Sequence, residues 1–157
     1  MLERLWRADK ISHWVDGISL EMLYQSGKAG QVFMENLRDR GLLTLSKCLE
    51  CGDAFCPPRI YCPSCMSSKI EYKTFDPVGY VELFTACRVD AYGQALEEPM
   101  LIALIRFQNV KGGLIHRVKE VSLDELHKGM KLEAVLKPRE ERRGSINDIQ
   151  YFRPVRV

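Results

Sequence analysis

The stretch KCLECGDAFCPPRIYCPSC, residues 47–65, decides the fold of this chain. It contains two Cys-x2-Cys pairs, Cys48/Cys51 and Cys62/Cys65, which ten intervening residues separate. Each pair can place two thiolates on one face of a tight turn, and two such turns facing each other complete a tetrahedron. The spacing therefore predicts that the four cysteines bind one structural zinc ion.

Two neighbouring residues support turns at both pairs. Gly52 suits the positive-φ end of a metal-binding turn, and Pro63 stiffens the second one. Two disulfides are the alternative, but they need an oxidising compartment. The N-terminus lacks the unbroken apolar centre of a signal peptide, so six cysteines indicate a cytoplasmic protein with thiols used for metal. Iron in the same site, as in an electron carrier, is a further alternative.

Composition limits the remaining possibilities. The chain of 157 residues is long enough for one domain, or for two small domains, the smaller of which a metal stabilises. Its hydrophobic content of 46% is enough for an ordinary core. No apolar run approaches the roughly 18 residues of a membrane span. The net charge of +2 gives little support to nucleic-acid binding through a general field.

Helical patterns precede the cysteines. Residues 1–17 mix tryptophans with charges and lack a period, which is typical of an arm. A first helix is predicted from Ser19, and the Ser-Gly at 26–27 interrupts it. A second helix is predicted over residues 28–40, with Gly41 as its C-terminal stop.

A proline-rich arm connects the two cysteine pairs. Pro57 and Pro58 cannot join a helix or a central strand, so the arm is predicted to be rigid and exposed, with Arg59 held outward. Cys56 falls outside the ligand spacing and is interpreted as a small packing residue. Residues 67–76, which include IEYKTF, are predicted to lead away from the metal site as a strand-like linker.

After Pro77 the pattern changes to strands. Alternation and apolar runs predict strands over residues 79–89, 100–107, 114–121, 130–136 and 146–157. A turn is expected at Gly112-Gly113, and a capping-box pair, Ser122 and Glu125, predicts a short helix that Gly129 ends. Three strands, one helix and two strands are the order of an OB-fold, a five-stranded barrel. Cys87 is expected in its core and His116 on a face.

Taken together, these motifs resemble the DUF35 OB-fold family. The likeness lies in CxxCG, the PPR arm, CPxC and DPVGYV at residues 76–81, and it covers about residues 19–157. YQSGKAG at 24–30 is similar to the two-helix start of archaeal members. GMKLE at 129–133 and IQYFRP at 149–154 resemble the last two barrel strands.

The resemblance implies a mainly β protein with N-terminal helices, in three parts. These are an N-terminal arm and helical hairpin (1–44), a rubredoxin-like zinc ribbon (45–74) and an OB-fold (75–157). The sequence departs from the family pattern at three positions. Cys56 replaces an aromatic residue, Met66 replaces the glycine after the fourth cysteine, and Pro77 replaces a glycine before the first barrel strand.

Family members act beside thiolase-like enzymes in acyl-CoA and lipid metabolism, and some bridge a thiolase and a hydroxymethylglutaryl-CoA synthase. The resemblance therefore implies a non-catalytic subunit that docks on such an enzyme and helps to hold acyl-CoA. The expected ligand-binding residues are Pro57, Pro58, Arg59 and Lys69.

The residues themselves contain no pattern of a catalytic site. Neither a Ser-His-Asp order, a Gly-rich phosphate loop nor an open metal site is present, so an independent enzyme is not expected. Arg139, Arg142 and Arg143 are further cations that a CoA ligand could use, but acids interrupt them, and they are interpreted instead as a solvated, mobile loop. The alternative function is a single-stranded nucleic-acid-binding module, which would need a basic groove with aromatic residues on the middle strands. Only Phe107 is available there.

Overall fold

The computed structural model describes residues 25–90 and 92–155. Within them, the chain forms one α-helix and nine strands: α1 (Gly27–Arg40), β1 (Leu43–Cys48), β2 (Ala54–Cys56), β3 (Ile70–Phe75), β4 (Val78–Val89), β5 (Ala95–Arg106), β6 (Lys111–Gly112), β7 (Leu114–Val118), β8 (Lys131–Leu136) and β9 (Ile149–Pro154). Two short 3-10 helices, Arg139–Glu141 and Ile146–Asp148, lie between β8 and β9. The predicted arm and the predicted helix from Ser19 lie outside the described residues.

Helix α1 confirms the second predicted helix almost to the residue. Ala29, Phe33 and Leu37 are buried on one face, as the apolar spacing requires. Gly41 ends the helix with a left-handed φ of 70°, and its amide donates to the carbonyl of Leu37 at 3.1 Å. Among the described residues, no helix has the length and apolar character needed to cross a bilayer.

A four-stranded sheet in the order β3-β1-β2-β6 carries the cysteine-rich segment. β1 ends at Cys48 and pairs antiparallel with β3 from Leu43↔Phe75 to Cys48↔Ile70. The segment 70–75 is therefore a full strand of this sheet. Its description as a linker was wrong. The strand pairs with β1, which is more than 20 residues away in sequence, and the local sequence pattern does not indicate that partner.

The C-terminal strands close into a barrel in the order β4-β5-β7-β9-β8. Numbered within the barrel this order is 1-2-3-5-4, and only the β7–β9 pair is parallel. This topology confirms the predicted five-stranded OB-fold. The largest buried side chains in it include Phe152, Ile105, Leu132, Ile149 and Val81.

The short helix predicted after Ser122 is wrong. Its capping signal is real, since the amide and hydroxyl of Ser122 donate to the Glu125 carboxylate at 3.0 and 2.9 Å. The amide of Leu126 then closes one turn on the carbonyl of Ser122. Gly129 donates to the carbonyl of Val81 at 2.7 Å, so pairing with the barrel takes over before a second turn can form. The segment is a turn.

The turn predicted at residues 112–113 is also misplaced. The chain reverses earlier, around Asn109, which has a φ of 58°. The following Lys111–Gly112 forms β6, which pairs parallel with β2 of the other sheet. A Cβ on Gly112 would lie 2.3 Å from the carbonyl oxygen of Cys56. The glycine is thus required for the close approach of two backbones and not for a hairpin.

The cysteine-rich sheet and the barrel share one core. Lys111 contacts the Asp53 carboxylate at 2.6 Å, and the rings of Phe75 and Phe107 meet edge to face with centroids 5.1 Å apart. The buried apolar cluster is continuous from α1 through Cys56 into the barrel. The boundaries 1–44, 45–74 and 75–157 stay a prediction.

Candidate metal centre

The two cysteine pairs lie in turns with the same hydrogen-bond pattern. In the first, the amide of Cys48 donates to the carbonyl of Asp53 (2.8 Å), and the amide of Gly52 donates to the carbonyl of Cys48 (3.1 Å). The second turn repeats both bonds, from the amides of Cys62 and Met66, each at 2.8 Å. Such turns leave the two cysteine side chains of each pair on one side.

The residue after each pair adopts a left-handed conformation. Gly52 has a φ of 79°, as predicted, and Met66 has a φ of 61°. A residue with a Cβ adopts this conformation at a cost of about 1–2 kcal/mol. This explains why a glycine is expected after the fourth cysteine and shows that the chain tolerates Met66 there. The Met66 side chain is 71% exposed.

The four sulfurs form one compact cluster. All four Sγ atoms of Cys48, Cys51, Cys62 and Cys65 lie within 4.8 Å of one another. The Cys48–Cys65 and Cys51–Cys62 sulfurs are 3.6 and 3.5 Å apart. Zn–S bonds of about 2.3 Å in a tetrahedron place sulfurs about 3.8 Å apart, whereas a disulfide needs about 2.05 Å. The cluster fits a single tetrahedral ion.

Backbone amides prepare part of this cluster to hold negative charge. The amide of Cys51 lowers the pKa of the Cys48 thiol to about 6. Burial raises the pKa of Cys62, but hydrogen bonds from the amides of Cys65 and Ser64 and from the neighbouring thiols together outweigh burial, and the net shift is downward. The amide of Asp53 lowers the pKa of Cys51, yet burial and the neighbouring thiols raise it to about 12. Four thiolates therefore require a cation among them.

A site of four cysteines has no open position for a substrate. Such closed sites stabilise structure, whereas catalytic zinc sites keep one position for water. Cys56 is not part of the cluster: it is 1% exposed, and burial raises the pKa of its thiol to about 12. This agrees with its interpretation as a packing residue. Cys87, which was expected in the barrel core, is half-buried on β4 and does not belong to the buried apolar cluster.

The proline-rich arm lies against the sheet that holds the cluster. Pro57 and Arg59 are exposed, but Pro58 is buried, so the arm is less exposed than predicted. The amide of Arg59 donates to the hydroxyl of Ser46 (2.9 Å), and the Tyr72 hydroxyl donates to the Arg59 carbonyl (3.3 Å). Both partners belong to the ribbon sheet. The backbone at Arg59 is fixed while its side chain faces solvent.

A cavity of about 440 Å³ separates this arm from the start of α1. Its walls are Ser26, Gly27, Ala29, Gly30, Pro58, Arg59, Ile60, Tyr61 and Pro63. Two of the four expected ligand-binding residues, Pro58 and Arg59, line it, while Pro57 and Lys69 do not. The Lys69 ammonium instead contacts the Glu50 carboxylate at 2.6 Å.

The late loop is folded around a buried carboxylate. Asp148 is 1% exposed and accepts hydrogen bonds from the amides of Arg143, Gly144 and Ser145. Burial raises the pKa of Asp148, but these amides outweigh burial and lower it. Arg142 donates to the backbone carbonyl of residue 137 at 2.8 Å. The interpretation as a solvated, mobile loop missed this because Asp148 follows the charged run in sequence.

Comparison with known proteins identifies the family. The family model "ChsH2, rubredoxin-like zinc ribbon domain" matches residues 36–71, which include all four clustered cysteines. A crystal structure from Sulfolobus solfataricus, of a DUF35-family protein of unknown function, is 36% identical. It superposes with a TM-score of 0.59 over 69% of this chain and 78% of that one. The chain belongs to the DUF35 family.

Two further DUF35 matches extend the comparison. A "DUF35 domain-containing scaffold protein" from Methanothermobacter thermautotrophicus is 29% identical over 101 residues, 63% of this chain and 75% of the relative. The "Ltp2-ChsH2(DUF35) aldolase" shares the fold, with a TM-score of 0.59 over 82% of this chain and 95% of that one. At 18% identity this second likeness concerns the fold alone.

Proposed function

We propose that this DUF35 chain is a non-catalytic scaffold subunit that docks on a thiolase-type or hydroxymethylglutaryl-CoA-synthase-type enzyme and helps to hold a CoA thioester. The relative named as a scaffold protein and the fold shared with an aldolase assembly support an accessory role. In this proposal Cys48, Cys51, Cys62 and Cys65 bind one structural zinc, which holds the ribbon and the arm in place.

An exposed apolar row on the barrel carries the docking part of the proposal. Leu83 of β4, Leu104 of β5 and Ile115 of β7 are register partners across three neighbouring strands. Leu83 is 63% exposed and Ile115 is 72% exposed. Aliphatic side chains that are aligned on a surface, and not scattered singly, are typical of a protein-protein interface. We refer to these three residues as the apolar row.

The ribbon presents a second group of exposed apolar side chains. Leu49, Ile60, Tyr61 and Met66 are between 49% and 71% exposed. Leu49 and Met66 lie in the two metal-binding turns, and Ile60 and Tyr61 belong to the arm between them. A partner that contacts the ribbon would cover them, so a bound metal would stabilise the shape of the contact surface.

The cavity beside the arm is suited to part of a CoA thioester. Ile60, Tyr61 and Pro58 supply apolar walls, and Arg59 supplies one cation. A pantetheine arm needs an apolar slot, and its phosphates need a cation near the mouth. Because the Arg59 backbone is already fixed by Ser46, ordering the arm on binding costs little entropy. Pro57 and Lys69, which lie outside the cavity, have a lesser role in this proposal.

The docking proposal is tested with the thiolase-type enzyme that co-purifies with the chain from its native host. We expect a stable complex in size-exclusion chromatography, and loss of the complex when Leu83 and Ile115 are both replaced by Glu. Replacing the exposed Glu97 and Glu98 by Gln serves as the control. The docking role is wrong if no acyl-CoA enzyme co-purifies, and the apolar row is excluded if the Glu variant still binds.

The ligand proposal is tested by calorimetric titration with CoA. Arg59→Ala should weaken CoA binding and leave the melting temperature nearly unchanged, since the Arg59 side chain is exposed. Lys73→Ala, on the adjacent strand β3, is the matched control for loss of one surface charge. Equal affinity of Arg59→Ala and the unmodified protein for CoA would remove Arg59 from the site.

A further inference from the structure

A second cavity, of about 520 Å³, lies on the barrel beside the junction of β7 and β9. These strands are parallel and share one register pair, Val118↔Phe152. Arg117 lies on β7 and Lys119 directly follows the last residue of that strand, where its amide donates to the carbonyl of Phe152 (2.9 Å), so both side chains project from the same face. Lys137 follows the end of β8 and lines the cavity as well. Three cations thus meet at one place, although Lys137 is distant in sequence from the other two.

These cations lack the partners that many other basic residues of the chain have. Lys69, Lys111 and Lys128 each contact a carboxylate at 2.8 Å or less. Within residues 25–90 and 92–155, no ion pair involves the three cations of the cavity, and no carboxylate lines it. Nearby carboxylates are Glu98 and Glu120, which line an adjacent cavity with Arg117 and Lys119, and Asp148, whose charge interacts with Lys137. Since the net charge of the chain is only +2, the cluster does not reflect a basic composition.

Neutral side chains complete the walls of the cavity. Asn147 and Gln150 add side-chain amides that can donate hydrogen bonds. The Lys119 ammonium lies 5.7 Å from the centre of the Tyr151 ring, a distance at which the ring face attracts a cation. The Tyr151 hydroxyl donates to Glu120 at 2.8 Å. This carboxylate also lies 3.7 Å from Arg153, outside the cavity wall.

We propose that this cavity binds a small phosphorylated ligand with two or more negative charges, such as a diphosphate ester. Like charges gathered at one cavity repel one another, and a bound anion reduces that repulsion. A guanidinium binds phosphate oxygens in a bidentate way, and ammonium groups act as mobile point charges. The volume falls within the range of small-molecule sites, about 300–1,000 Å³.

The arrangement favours a compact ligand over a nucleic-acid strand. Non-specific strand binding uses cations that follow the backbone along a groove, with several aromatic platforms. Here three cations surround one cavity with one aromatic ring. The inference does not rest on the proposed function, because CoA and free nucleotides both carry a diphosphate and the two sources can be separated by experiment.

The test compares the zinc-loaded full chain with two triple variants by calorimetry and by amide chemical shifts. The site variant is Arg117→Ala/Lys119→Ala/Lys137→Ala. The control variant, Lys73→Ala/Arg88→Ala/Lys131→Ala, removes the same charge from exposed positions outside both cavities. The probes are pyrophosphate, ADP and CoA, and melting temperatures verify that both variants are folded.

We expect pyrophosphate and ADP to shift the amides of residues 117–119, 137 and 147–151, and the site variant to lose at least about tenfold in affinity, equal to 1.4 kcal/mol. The control variant should stay within about twofold. If CoA binds tenfold tighter than ADP and loses that affinity in the site variant, CoA is the source of the diphosphate; equal binding of ADP and CoA indicates free nucleotides.

Three outcomes would overturn the inference. These are no binding of pyrophosphate or ADP, equal weakening in both triple variants, and affinity for oligo-dT that exceeds ADP affinity and rises with oligonucleotide length. The last outcome would instead support the nucleic-acid alternative. The proposed function can hold without this site. That result would be a CoA affinity that falls in Arg59→Ala and is unchanged in the site variant, together with no binding of pyrophosphate.

Discussion

The ribbon and the barrel are held together by different interactions. The barrel buries large apolar side chains such as Ile105, Leu132 and Phe152 inside a closed sheet. The ribbon exposes many of its apolar residues, and two of its most buried side chains, Cys48 and Cys62, belong to the sulfur cluster. A segment this small cannot bury enough apolar surface to be stable by itself. A bound metal therefore contributes stabilising free energy to the ribbon, as burial of apolar side chains does in the barrel.

The two parts are nevertheless coupled, through the apolar core that they share and through a direct contact between their backbones. β6 leaves the barrel to pair with β2, and the amide of Gly113 donates to the carbonyl of Cys56 at 2.9 Å. The difference in stabilisation therefore predicts separate responses to mutation in each part, together with a joint response at the contact. The four variants below test this, from the largest expected effect to the smallest.

The largest effect is expected from Cys62→Ser. Loss of one ligand should release the metal and unfold the ribbon, because binding free energy at such a site is folding free energy. Metal content and amide hydrogen exchange are the measurements, with protection lost in residues 45–74 and kept in the barrel. Cys87→Ser, at a cysteine outside the cluster, is the control and should retain one zinc per chain. Stoichiometric zinc in Cys62→Ser would show that the ligand assignment is wrong.

The second variant, Phe152→Ala, tests the barrel alone. Removal of this fully buried ring should lower the free energy of unfolding by about 3–5 kcal/mol, which denaturant unfolding measures. Zinc content should not change if the ribbon has its own source of stability. Phe84→Ala, at a ring that is 37% exposed, should cost much less. Loss of zinc from Phe152→Ala would contradict the separation of the two parts.

The third variant, Gly112→Ala, acts at the contact between the parts. The new Cβ would clash with the Cys56 carbonyl in a residue with a φ of 89°, so a loss of about 2 kcal/mol or more is expected. Gly129→Ala is the matched control, since its φ is 86° and its Cβ would meet open space. The steric contact is measured by the difference between the two unfolding free energies. Equal values would mean that β2 and β6 do not constrain each other.

The smallest effect is expected from Asp148→Asn, within the barrel loop. Replacing the buried carboxylate weakens three hydrogen bonds and should cost about 1–2 kcal/mol at pH 7. Because folding lowers the pKa of Asp148, its contribution is complete above the unfolded value, about 3.9, and is lost as the pH falls through the folded value. Acid unfolding curves should show this loss in the unmodified protein and a smaller one in Asp148→Asn.

Short-range signals in the sequence predicted much of the structure. The spacing of four cysteines predicted the cluster, and Gly41 predicted the end of α1, because these features depend on a few neighbouring residues. The apolar pattern predicted the barrel strands. The Ser122–Glu125 pair was equally clear and yet the helix does not form, since Gly129 pairs with Val81 across the barrel. A local signal fails where a distant partner binds the next residues.

By itself, the sequence determined which residues could bind a metal, where α1 ends and which strands could close a barrel, because cysteine spacing and apolar periodicity act over a few residues. Only the tertiary structure decided that residues 70–75 complete the ribbon sheet and that β6 joins ribbon to barrel. It alone brought Arg117, Lys119 and Lys137 to one cavity. Contacts between distant strands depend on barrel closure, which no short stretch of sequence encodes.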